Sequence, residues 1–129
     1  MSNFAFLLSE WPDVHEAASK AEALAHSDPR AACFYARRAL EAAMAWLYKY
    51  DAKLKLPYQD NLSALIHEPT FKAGAGEAVF TKARVIQRQG NDAVHSTRPV
   101  RQYDALQVVK GLFHFSYWLA RTYARGAKP

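Results

Sequence analysis

Apolar residues recur every three or four positions along most of the chain, and nowhere do they alternate with polar ones long enough to argue a strand. "WPDVHEAASKAEALAHSD" opens with Pro12 at a favourable first-turn position and carries Asp13 and Glu16 where carboxylates complement the positive end of the helix dipole. Rich in Ala, it predicts a helix ending near His26. "SDPRAACFYARRALEAAMAWLYKYD" restarts the pattern, with Asp28 as N-cap and Pro29 as the first helical residue. Its apolar face runs through Cys33, Ala36, Leu40, Ala43 or Met44, and Leu47, which makes it the central helix of the fold.

Pro57 and the turn residues Asp60 and Asn61 interrupt the periodicity before "NLSALIHE", a short helix closed by Pro69, and Gly74 and Gly76 mark another break. A further helix is predicted over about 77–94. "STRPV" separates it from a long aromatic last helix over about 101–124, whose apolar stripe is read as Leu106, Val109, Phe113, Ser116, Ala120 and Tyr123. The fold class that follows is all-α: one domain over residues 1–129, an antiparallel bundle of four main helices plus a short one, neighbours antiparallel because their connections are short. Aromatic residues of the last helix are assigned to the core rather than to base stacking.

Composition agrees with one folded domain, since half of the 129 residues are hydrophobic. No apolar run approaches the roughly 20 residues that span a bilayer, and "FAFLL" is short and lacks a basic flank. The expectation is a soluble, unexported protein of the cytoplasm with no membrane partner. A single cysteine, Cys33, excludes an internal disulfide and every Cys-based zinc pattern.

Charge adds more once it is divided along the chain. Residues 81–129 hold nine Lys or Arg against Asp92 and Asp104, seven net positive charges; residues 1–80 hold eight against ten Asp or Glu, two net negative ones. A basic half of this kind suits a polyanionic partner or a plainly solvated surface.

The candidate chemistry lies in "ARVIQRQGNDAVHSTRPV", residues 83–100. On a helix, Val79, Ala83, Ile86, Gly90 and Ala93 share one face, while Arg84, Arg88, Asn91 and His95 recur at steps of four, three and four on another. Gly90, disfavoured inside a helix, asks for a close approach by a neighbouring helix or a helix end. Arg and His together suffice for metal-independent RNA cleavage, the guanidinium holding the phosphate and the imidazole moving the proton. The residues by themselves favour instead a polar seam, with Asn91 and His95 hydrogen-bonded across a helix interface. The candidate catalytic residues are Arg88 and His95; a nucleic-acid contact would comprise Arg84, Arg88, Asn91, His95, Arg98 and Arg101. Arg37, Arg38 and Glu41 make a local ion pair or add to that polar surface. The five His residues form no metal-ligand spacing, "GAG" leads into no P-loop, and no nucleophile elbow surrounds a Ser; neither metal nor cofactor is expected.

"ACFYARRALEAAMAWLYKYD", "LPYQDNLSALIHEPTF", "GNDAVHSTRPV" and "FHFSYWLARTYARGAKP" together resemble the helical domain at the N-terminus of the R subunit of type I restriction-modification enzymes, a domain that belongs to a family named only as one of unknown function. The resemblance implies a leading domain of a longer, ATP-dependent restriction endonuclease, itself non-catalytic, contacting nucleic acid or other restriction-modification subunits in phage defence. That family resembles in turn the HEPN superfamily of small helical bundles, which implies a homodimer and, as alternatives, a metal-independent endoribonuclease or a dimerisation scaffold. Active HEPN ribonucleases carry Arg, a polar residue and then His. Here Arg88 and His95 enclose six residues, with Gln89 directly after the Arg and the Asn displaced to Asn91 behind Gly90.

Overall fold

A computed structural model describes residues 2–129. Four long helices form the bundle: α1 (Pro12–Leu24), α2 (Pro29–Tyr50), α5 (Glu77–His95) and α6 (Gln102–Tyr123). Two short ones, α3 (Leu62–His67) and α4 (Pro69–Ala75), bridge its middle, and a single 3₁₀ turn, Ala5–Leu7, precedes α1. No strand occurs among the described residues.

The predicted starts of α1 and α2 are found where their proline signals put them. Pro12 and Pro29 sit in the first helical turn, and the Asp28 carboxylate accepts the Ala31 amide at 3.1 Å. Pro69 does more than close α3. Glu68 between the two short helices accepts from the Thr70 amide at 2.8 Å and from the Thr70 hydroxyl at 2.6 Å, and Pro69 begins a second short helix, because a proline at a helix start gives up an N–H that has no partner there. The bundle therefore carries two short helices where one was expected. Gly76, at φ 89, makes the sharp turn from α4 into α5 that a side chain would disfavour.

Long-range hydrogen bonds fix the directions of the helices. Arg30 at the start of α2 reaches the end of α5, Gln102 at the start of α6 donates to His26 O at 3.2 Å beyond the end of α1, and Tyr123 at the end of α6 donates to Asp51 at 2.5 Å beyond the end of α2. Sequential long helices thus run antiparallel, while α2 and α6 run parallel across the centre.

The predicted face of α2, with Cys33, Ala36, Leu40, Ala43, Met44 and Leu47, is wholly buried, and α2 packs on α1, α5 and α6, the central position its apolar face predicts. Ala18 and Ala21 of α1 and Ala32, Ala36 and Ala39 of α2 are fully buried, small side chains that permit close helix packing. The stripe predicted for α6 needs correction. Its core side is Ala105, Val108, Leu112, Phe115, Ser116, Leu119 and Ala120, whereas Leu106 is 36% exposed and Val109, Phe113 and Tyr123 are only half-buried. The helix is apolar on more than one side, so periodicity alone could not choose which side faces inward. Phe115 is fully buried, and Trp118 and Tyr123 join a cluster with Trp46, Phe71 and Trp11, so core packing accounts for them. Tyr103 and Tyr117, in contrast, face solvent. Among the described residues no helix is long and apolar enough to cross a membrane.

Candidate functional site

Helix α5 runs unbroken through Gly90 to His95, with Phe80, Ala83, Ile86, Gly90 and Ala93 buried along one face. The glycine is explained by contact with α2. A Cβ at Gly90 would lie 2.5 Å from Arg37 Cβ and 2.9 Å from its Cδ, so the crossing excludes any side chain. Of the two explanations open from sequence, a close approach and a helix end, the close approach is the one found.

That crossing orients the polar ridge. At 1.5 Å rise per residue, Arg84, Arg88, Asn91 and His95 extend over roughly 16 Å, with Arg88 and His95 two turns apart, roughly 10 Å. All four lie on one flank of α5; Arg88 and His95 are exposed, Arg84 and Asn91 half-buried. Among the described residues none of the four has a side-chain hydrogen bond within the protein, and none of the ion pairs includes them. Among the described residues the buried side-chain polar atoms left without a partner are Trp11 Nε1, Arg37 Nε and Ser116 Oγ, so the Asn91 amide and the His95 imidazole are in reach of water. The seam in which Asn91 and His95 bond across a helix interface is therefore not what forms.

The N-terminal end of the ridge rests on the Phe80 ring, beside a Lys72 that is paired with Glu77 at 3.5 Å. The Arg84 guanidinium lies 5.7 Å from the Phe80 ring centroid and the Lys72 ammonium 4.7 Å from the same centroid, with His67 edge-on to that ring at 5.5 Å. Arg37 and Arg38 diverge. Arg37 lies against Gly90 with Nε 3.5 Å from Glu41, while Arg38 stands over Phe34 at 5.9 Å on the α1 side of α2. Arg98, in the connection after α5, is exposed and unpaired by any carboxylate. Arg101 is committed elsewhere: it pairs with Asp104 at 3.2 Å, a hydrogen bond that holds the Asp104 carboxyl below its usual range. Arg84, Arg88, Asn91 and His95 are thus brought together with Arg98 just beyond, and Arg101 turns to its own helix.

One residue absent from the sequence reading organises this end of the molecule. Arg30 donates through Nη1 to Ala93 O at 2.6 Å and Ser96 O at 3.0 Å, and through Nη2 to Arg98 O. A guanidinium fork meets the unsatisfied carbonyls at the C-terminal end of α5 and the turn that follows, where positive charge also complements the helix dipole. Its partners are backbone atoms 63 to 68 residues away. No local spacing signals such a contact.

Cys33 is buried, and burial pushes its thiol up to about 11, which makes it a core residue rather than a nucleophile. Among the described residues no three His, Cys, Asp or Glu side chains are grouped to hold a metal ion.

Fold and surface together define a small helical-bundle domain that presents a cationic ridge on one helix. The chain belongs to the family described as a domain of unknown function, DUF4145, whose model matches residues 19–128. No curated protein and no solved structure matches it.

Proposed function

We propose that this chain is an accessory, non-catalytic helical domain of a type I restriction R subunit, and that the α5 ridge is the surface with which it engages nucleic acid. One observation carries the reading: Arg84, Arg88, Asn91 and His95 stand on a single solvent-facing flank, free of carboxylate partners, at the edge of the basic half of the chain. Guanidinium groups at this spacing bind phosphate oxygens, Asn91 supplies a neutral donor, and the surrounding net charge draws a polyanion in. Such contacts position a nucleic acid without reading its sequence. The place within a restriction enzyme follows from the sequence resemblance.

The test is a salt titration with labelled duplex DNA, single-stranded DNA and RNA. Binding is expected to fall linearly on a log–log plot, and Arg84→Ala and Arg88→Ala are each expected to weaken it and reduce the slope by about one. Absence of binding to all three at low salt would remove the nucleic-acid reading.

A second reading, a metal-independent endoribonuclease, draws on the placement of Arg88 and His95 on the same open flank with Asn91 between them. There the RNA 2′-oxygen attacks the adjacent phosphorus as its proton passes to His95, the P–O5′ bond breaks, the 5′-oxygen takes a proton from water, and a 2′,3′-cyclic phosphate forms while Arg88 holds the phosphate charge. It predicts RNA cleavage in the presence of chelator that disappears in His95→Ala, and cleavage unchanged by that substitution refutes it.

A further inference from the structure

Helix α6 carries more apolar surface than the bundle uses. Opposite its core side, Tyr103, Leu106, Lys110, Phe113, Tyr117 and Arg121 succeed one another at steps of three or four, forming a second stripe. On it Tyr103 is 63% exposed, Tyr117 42% and Leu106 36%. Toward its end the stripe is covered by this chain itself, Phe6 packing edge-on against Phe113 and Tyr117 and Pro129 O accepting from Tyr117 and Arg121; the part left open is Tyr103 and Leu106 beside Lys110, apolar surface where a solvated helix face is ordinarily polar.

The stripe is flanked by a groove on each side. Toward α1 lies one of about 420 Å³ walled by Phe4, Ala25, Leu106, Val109 and Phe113. Toward α5 lies one of about 380 Å³ walled by Val85, Ile86, Val108 and Gly111. Lys110 lines both.

Gly111 gives an independent indication. Glycine inside a helix is disfavoured relative to alanine, and at Gly90 the α2 crossing compels it. At Gly111 nothing does, since an added Cβ would meet only Lys82 Cβ and Cγ at 3.9 Å, ordinary contact. Packing within the bundle leaves this residue unexplained, and keeping the second groove open accounts for it.

Charge chooses the occupant. Lys82 and Lys110 line the grooves, Lys110 both of them, while the one carboxylate among the lining residues, Glu22, belongs to the α1 side of the first groove, where it accepts the Asn3 amide. We infer that the outer face of α6 is a docking surface for an acidic amphipathic helix of a partner protein, whose apolar side chains enter the two grooves while its carboxylates pair with Lys110 and Lys82. Grooves walled by aliphatic and aromatic side chains take leucine-like groups, which a nucleic acid does not offer. This face is separate from the α5 ridge, so the two contacts are independent.

The probe is a helical peptide of about 18 residues, roughly 27 Å long, with Leu at positions i, i+3, i+4 and i+7 and Glu on its flanks. It is compared with the same peptide bearing Lys for Glu, and binding is followed by amide shifts of the full chain. The Leu/Glu peptide is expected to shift amides along α6 and at Lys82 to Val85. Gly111→Met, which fills a groove, and Lys110→Glu, on the exposed surface, are each expected to weaken it by about tenfold or more with the thermal midpoint unchanged or raised, whereas Arg88→Glu leaves it intact. Equal binding of the Lys peptide, or no shift on α6, overturns the inference. So does a labelled oligonucleotide that shifts the same amides, which gives the face to nucleic acid, or a mass that doubles with concentration except in Lys110→Glu, which gives it to a second copy.

Discussion

Replacing Arg30 by Ala unties the end of α5 from the first turn of α2. Two of the three accepting carbonyls, Ala93 O and Ser96 O, are part-buried contacts, and the third, Arg98 O, is exposed and can turn to water. A hydrogen bond from a charged donor contributes about 1.5–3 kcal/mol, so two part-buried bonds at the low end give a loss of about 3 kcal/mol. Loss of positive charge at a helix C-terminus adds up to about 1 kcal/mol. For a chain of this length the thermal midpoint should fall by roughly 10 °C. Urea denaturation measures the loss, with an unchanged m-value showing that the denatured state is not the cause. Arg30→Lys is the informative companion. It restores the charge but offers no planar fork, and is expected to recover only about 1 kcal/mol. Amide exchange of the backbone between Ser96 and Val100 should quicken in both variants. An Arg30→Ala protein within about 0.5 kcal/mol of the parent, or a Lys variant equal to it, would refute the clamp.

Two other predictions concern the helix glycines and the buried thiol. Gly90→Ala should cost about 2 kcal/mol despite the better helix propensity of alanine, because Arg37 Cβ at 2.5 Å cannot swing away, whereas Gly111→Ala should stabilise by about 0.5–1 kcal/mol; the reverse order in paired urea melts would contradict the assigned crossing. Cys33, raised from 9.0 to about 11 by burial, should resist a thiol reagent at pH 8 until the chain unfolds. Between about pH 9 and 11 the unfolded chain releases that proton while the folded one keeps it, so stability should fall as pH rises through this window, with a smaller slope in Cys33→Ala.

Local signals carried much of the fold. Prolines at first-turn positions, the Asp28 cap and a three-to-four apolar period located α1, α2, α5 and α6, because each depends on atoms within a turn or two of one another. The ridge of Arg84, Arg88, Asn91 and His95 was legible for the same reason, since helical spacing alone puts them on one flank. Helix α4 was missed because a proline that ends one helix and a proline that begins the next leave the same mark in the chain.

What lay beyond local periodicity was decided only when the helices met. A helix apolar on several sides does not say which one the bundle covers, so the Leu106–Phe113 side of α6, which periodicity offers as core, lies at its rim, with Leu106 exposed and Val109 and Phe113 half-buried. Gly90 announced a special position, but the Arg37 side chain pressed against it became visible only in the crossing of α2 and α5. Arg30 looked like any first-turn arginine until folding brought carbonyls of Ala93, Ser96 and Arg98 to its guanidinium. Spacing along one helix is set by covalent geometry and a repeat of 3.6 residues, which the chain carries in its order. Contacts between helices depend on which faces pack, and that choice is made by the whole core at once.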